Sequence, residues 1–235
     1  MNMPTSRAAR GVLLGAELAV SRLRERRTYG ALLLAFALAF AGARIELAAG
    51  TLGAVDRALA STFRLVIPVL TVALVSRAAS REGLGPGVYS LARFGLPRSA
   101  LALGVVAASA LVAAIAGALL AAVTVLAAHA SGAPPLAFDL LESSWIAAAT
   151  ALAYAAWTAL GTTYFRGRGL WIPVGADFLL GGSTGLAAAL LPRAHATSLL
   201  AIGPAPLSLP PVTSFAALYA MAIACALAAA ARSGR

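Results

Sequence analysis

Thirty consecutive residues, Ser99 to Ala128, carry no charged side chain. Coiled as a helix at 1.5 Å per residue they reach about 45 Å, enough to cross a hydrocarbon core about 30 Å thick at a tilt and extend beyond it. The remainder of the chain agrees. Of its 235 residues 61% are hydrophobic and only 11% charged, where a soluble domain is about half apolar and a quarter charged. The mean hydropathy is +0.89. The expectation is an all-α polytopic membrane protein with a single transmembrane domain, residues 1–235.

A crossing helix needs about 20 predominantly apolar residues. By that measure the expected spans are 28–48, 58–78, 99–128, 143–165, 170–191 and 212–231, six in all. Arg64 falls inside or at the outer edge of the second, and Asp177 lies in the fifth. Gly11 to Arg27 precedes them. Glu17, Ser21, Arg24 and Glu25 share one helical side there, and Val12, Ala16, Ala19, Val20 and Leu23 another. That pattern reads as an amphipathic helix lying in the interface, with Leu23, Arg24, Arg26 and Arg27 as its candidate contact residues. The plainer alternative is a basic leader.

Charge sets the orientation. All eighteen cations are arginine, and with both termini inside, fourteen of them fall on the cytoplasmic side. Basic residues concentrate in short cytoplasmic loops, so both ends are expected in the cytoplasm. The net charge of +10 therefore reads as a topology signal and a contact with anionic membrane lipid, with no nucleic acid implied. The Ala-, Arg- and Gly-rich composition, free of lysine, suggests a bacterial inner membrane.

The absent lysine also bears on function. A Walker A loop requires one beside its glycines, so no nucleotide site of that kind is encoded. The lone Cys225 and the distant His129 and His195 suggest no metal site. No HExxH, GxSxG or intramembrane carboxylate pair occurs, and no catalytic residue is expected. The chain is not expected to be an enzyme.

Two segments depart from the plain pattern. Residues 192–211 are apolar but carry five prolines, Pro192, Pro204, Pro206, Pro210 and Pro211. They read as a broken, re-entrant segment, tolerated at depth only where protein or water shields it, or else as a surface loop. Just before them Gly181 and Gly185 form a small-xxx-small pair. Residues 75–98 are the long polar interruption between two apolar blocks. Within it Pro86 to Phe94 reads as a short helix, with proline at its start and Gly95 just past its end.

This order of parts resembles the membrane subunit of a type-2 ATP-binding-cassette (ABC) transporter, the exporter class. The local match is Ser80-Arg81-Glu82-Gly83 followed by Gly95-Leu96-Pro97-Arg98-Ser99. The resemblance implies that Pro86, Val88, Tyr89, Leu91, Arg93 and Phe94 form a coupling helix between spans 2 and 3, docking on a separate ATPase subunit that holds ATP and magnesium. It implies that Gly11 to Arg27 is a connecting helix, that residues 192–211 narrow the exit, and that two permease subunits enclose the path as a homodimer or heterodimer. On the residues alone, Arg64 and Asp177 are candidates for a translocation path, since intramembrane charges mark pathways, proton sites or pairs. A proton- or ion-coupled transporter or channel using Asp177, and a non-transporting assembly factor, are the alternatives.

Overall fold

In the computed structural model, residues 6–130, 135–180, 186–202 and 209–234 are described. The described residues are helical, without strands. Five helical runs are long and apolar enough to cross a membrane: Arg26–Ala49, Ala54–Ala92, Arg98–Ala128, Leu136–Gly161 and Pro211–Ser233. The chain is thus an all-helical protein with the helices of a multi-pass membrane protein.

Helix α1 (Arg7–Leu23) opens on Ser6, whose hydroxyl accepts the Ala9 N–H at 3.2 Å, the usual service of an N-cap serine. Its buried residues are Gly11, Gly15, Ala19 and Leu23, one stripe at a spacing of four. The stripe packs on the first turns of α6 (Arg98–Ala128). A Cβ on Gly15 would collide with the Leu101 backbone, and one on Gly104 with the Val12 carbonyl. Backbones meet that closely only across small residues. Of the apolar side expected at Val12, Ala16, Ala19, Val20 and Leu23, only Ala19 and Leu23 are buried in this contact, and Val20 is exposed. The helix also ends before Arg26 and Arg27, which open α2 (Arg26–Ala49).

Arg57 closes the turn after α2. It pairs with the Glu46 carboxylate at 2.8 Å and donates to the carbonyls of Glu46, Gly50 and Leu52. The second crossing therefore begins at Ala54, four residues before its expected start. It runs through α3 (Ala54–Ser61), a π-helical turn (Thr62–Val66) and α4 (Ile67–Ala79). Pro68 explains the widened turn. Without an N–H it cannot bond the Arg64 carbonyl, and its ring would clash there. The Ile67 N–H bonds Thr62 instead, five residues back.

Helix α5 (Leu84–Ala92) follows a tight turn, then α6 and α7 (Leu136–Gly161), the most extensively packed pair. Gly117 of α6 lets the two approach, since a Cβ there would lie 2.8 Å from the Ala151 Cβ. Several buried hydroxyls in this bundle are satisfied locally: Thr124 and Thr150 donate to the carbonyls of Leu120 and Ile146, and Thr62 meets Thr124 at 3.1 Å.

The expected fifth span is not one helix among the described residues. A 3-10 segment (Phe165–Trp171) replaces the anticipated Arg166–Gly169 turn, and α8 (Ile172–Leu180) has nine residues. At 1.5 Å per residue α8 covers about 14 Å, half the hydrocarbon thickness. Gly181, Gly182 and Gly185 lie outside the described residues. The short α9 (Leu186–Ala189) and α10 (Pro192–Leu199) come next, and α11 (Pro211–Ser233) closes the bundle against α7, α6 and α10. Residues 203–208 of the proline-broken stretch lie outside the described residues; its first half is the helix α10, with Pro192, Ala194, His195, Ala196 and Leu199 buried.

Candidate functional site

Two polar constellations stand out from the apolar bundle. The first surrounds α5. The turn before it is held by Ser80, at φ 91°, whose hydroxyl donates to the Gly83 carbonyl at 3.0 Å, while the Gly83 N–H returns to the Ser80 carbonyl at 3.2 Å. Gly83 itself, at φ 103°, is the N-cap. The helix thus begins at Leu84, and Pro86 is its third residue, not its first. It ends at Ala92, and Gly95 takes the left-handed conformation at φ 79°.

The two faces of α5 differ. Leu84, Gly87 and Val88 are buried, with Leu91 partly so, an i, i+3, i+4, i+7 stripe. Val88 is 0% exposed and belongs to this chain's own core, which corrects its placement among the outward knobs. Tyr89, at 44%, and Phe94, at 82%, face outward with Arg93. Gly87 lies so close to the end of α4 that a Cβ would strike the Ala79 carbonyl.

Arg22 locks this arrangement. Its guanidinium donates to the Ala78 carbonyl at the end of α4 and to the Gly87 carbonyl of α5, both at 2.7 Å. One planar fork therefore joins α1, α4 and α5. Partial burial pushes the guanidinium below its ordinary value, and nearby Glu25 opposes that shift. Of the residues assigned to the interfacial helix, Leu23 is buried beside this clamp, while Arg24, Arg26 and Arg27 are exposed. Sequence reading missed Arg22; the signal was an arginine three residues beyond Ala19, beside Leu23 at the end of the buried stripe.

The second constellation is internal. Asp177 of α8 is 1% exposed and Tyr154 of α7 is 0% exposed. Arg193 of α10 is half-buried, and the three groups lie within electrostatic reach of one another. Yet Asp177 Oδ1, Tyr154 Oη and Arg193 Nη1 are each buried without a hydrogen-bond partner. His195, also on α10, contacts the Ala189 carbonyl through Nε2 at 2.9 Å and leaves Nδ1 unpartnered. Buried polar atoms in native proteins are almost always paired, so this concentration across α7, α8 and α10 is unusual. Tyr154 and Arg193 were not singled out by sequence, and His195 was weighed only against the distant His129, because the cluster forms between three separate helices.

Arg64 does not join Asp177. It is exposed on the π-helical turn, its guanidinium 5.5 Å from the Phe178 ring centroid. Of the two candidate path residues, Asp177 is thus buried on α8, and Arg64 reaches the next residue of that helix, Phe178, from the π-helical turn. Among the described residues no three His, Cys, Asp or Glu side chains gather as a metal site would require.

Comparison with known proteins gives no match to a family model, to a curated protein or to a solved structure.

Proposed function

We propose that this chain is the permease subunit of an ATP-driven exporter of the bacterial inner membrane, working as a dimer with both termini in the cytoplasm. A separate ATPase subunit supplies the energy. One observation carries the reading: α5 is fastened to α1 and α4 through Arg22 while presenting Tyr89, Arg93 and Phe94 outward. A short helix that is rigidly seated and studded with aromatics is suited to receive force from a partner and pass it to the helices behind it. In this reading α8 and α9 belong to the fifth of six crossings, and α10 with the proline-rich stretch after it narrows the outer exit.

The test is co-purification with an ABC ATPase followed by measurement of ATP hydrolysis. The wild-type chain is expected to bind the ATPase and alter its turnover, and the Y89E/F94E variant to lose both. A chain that transports on a proton gradient without ATP refutes the reading.

The buried group at Asp177, Tyr154 and Arg193 favours a second reading, a proton- or ion-coupled transporter, because an intramembrane carboxylate is costly and is retained for use. That reading requires Asp177→Asn to abolish pH-coupled flux in a variant that still folds. Flux unchanged by the substitution eliminates it.

A further inference from the structure

An open cavity of about 860 Å³ lies where the ends of α5, α6, α7 and α11 converge. Arg98, Arg232, Tyr89, Thr162 and Glu82 are among its lining residues. This is the arginine-rich end of the bundle, at the termini of three membrane-crossing helices. We propose that it is a binding site for a phosphate anion, either the phosphodiester of an anionic lipid headgroup or free phosphate. The site goes beyond the exporter reading and does not depend on it.

Two guanidinium groups are held in place here by aromatic faces. Arg98 stacks 4.9 Å from the Tyr89 ring centroid, and Arg232 stacks 4.0 Å from that of Tyr164. Arg93 lies over the same Tyr89 ring at 4.9 Å. Stacking engages the plane of a guanidinium and leaves its five edge N–H donors free. Among the described residues neither Arg98 nor Arg232 makes a hydrogen bond or ion pair. Glu82 shares the cavity wall but pairs with neither, so positive charge is in excess. The threonine hydroxyls are committed elsewhere: Thr162 and Thr163 donate to the carbonyls of Ala159 and Leu160. What the cavity offers a ligand is therefore two oriented, unsatisfied forks, and a phosphate oxygen pair is the acceptor that suits such a fork. Basic pockets between crossing helices on the cytoplasmic side commonly hold anionic headgroups. Tyr89 links the site to the outer face of α5, so an occupant would bear on that helix.

The experiment uses the full chain in neutral detergent, titrated with dye-labelled phosphatidylglycerol and separately with phosphatidylcholine, with inorganic phosphate as competitor. Saturable binding of phosphatidylglycerol is expected, weakened about tenfold or more in R98Q/R232Q and within about twofold of wild type in Arg7→Gln, a cation outside the cavity. The R98K/R232K variant, which keeps charge but loses the fork, should bind at an intermediate level and covers the case of a misfolded glutamine variant. Displacement by millimolar phosphate in wild type alone identifies free phosphate as the source; resistance to it identifies the lipid. Equal binding of both lipids by a wild type that phosphate does not compete for overturns the proposal. So does unchanged binding in R98Q/R232Q, or equal weakening in Arg7→Gln. None of these readouts involves an ATPase, so failure here and failure of the exporter reading are separable.

Discussion

The Arg22 guanidinium and the Gly87 carbonyl meet at 2.7 Å across 65 residues of sequence, and the same guanidinium reaches Ala78 at the same distance. Both carbonyls sit in part-buried surroundings. Removing the donor strands the Ala78 carbonyl at the end of α4, at a cost of about 1–3 kcal/mol, and takes the second bond from the Gly87 carbonyl, which still accepts within α5. Arg22→Ala should therefore destabilise the chain by about 2–4 kcal/mol. Arg22→Lys should fall between, since one ammonium cannot reproduce a planar fork. Thermal unfolding in detergent measures the first effect. Limited trypsin cleavage at Arg81 and Arg93 measures the second consequence, a loosened α5, and unchanged cleavage would show that the clamp does not hold that helix.

The contact of α1 with α6 depends on missing side chains. Gly15→Ala drives a Cβ into the Leu101 backbone, which neither helix can yield without separating. A loss of about 2 kcal/mol or more is expected, in the range of overpacking. Gly30→Ala is the control, because nothing lies within 4 Å of its would-be Cβ. There the better helix former should be neutral or add about 0.5–1 kcal/mol. Equal melting temperatures for the two variants would remove the close-packed interface.

The two faces of α5 predict opposite phenotypes. Val88→Glu places a charge where the side chain is 0% exposed, and the chain should fail to fold or lose about 3 kcal/mol or more. Phe94→Glu, at 82% exposure, should leave stability within about 0.5 kcal/mol and, on the exporter proposal, impair only association with the proposed ATPase. Circular dichroism melts combined with ATPase pull-down distinguish the two. A destabilised Phe94→Glu would mean that the outward face is not a free surface.

Much of the architecture was legible because hydropathy marks where a chain meets lipid. It did not mark where helices end. Asp56 and Arg57 in α3, and Asp139 and Glu142 in α7, continue their helices beyond the apolar runs, since charge is no obstacle to helix once the backbone has left the hydrocarbon. The left-handed Gly95 could be read from its position alone, as local chain stereochemistry. The inward turn of Val88 could not, because it is decided by α6, α4 and α11 packing against α5. Asp177 was visible as an isolated charge in an apolar run. Its neighbours Tyr154 and Arg193 became visible only when α7, α8 and α10 came together.

Asp177 and Arg193 lie near each other without closing an ion pair, and they supply the last prediction. Removing one of two neighbouring buried charges leaves the other uncompensated, at a cost below about 3–5 kcal/mol, the figure for a directly bonded buried pair. Arg193 is only half-buried, so solvent should reduce that figure for Asp177→Ala, while Arg193→Ala, which strands a carboxylate 1% exposed, should cost more. The double variant should be less destabilised than the sum of the singles by about 1 kcal/mol or more, the mark of interacting neighbours. Tyr154→Phe adds a further check. Its hydroxyl is buried beside Asp177 and closes no bond of ordinary geometry, so deleting it should change stability by no more than about 1 kcal/mol. Melting temperatures of the five chains, wild type included, complete the cycle. Strict additivity would mean that Asp177 and Arg193 act independently and that the internal cluster is not a functional unit.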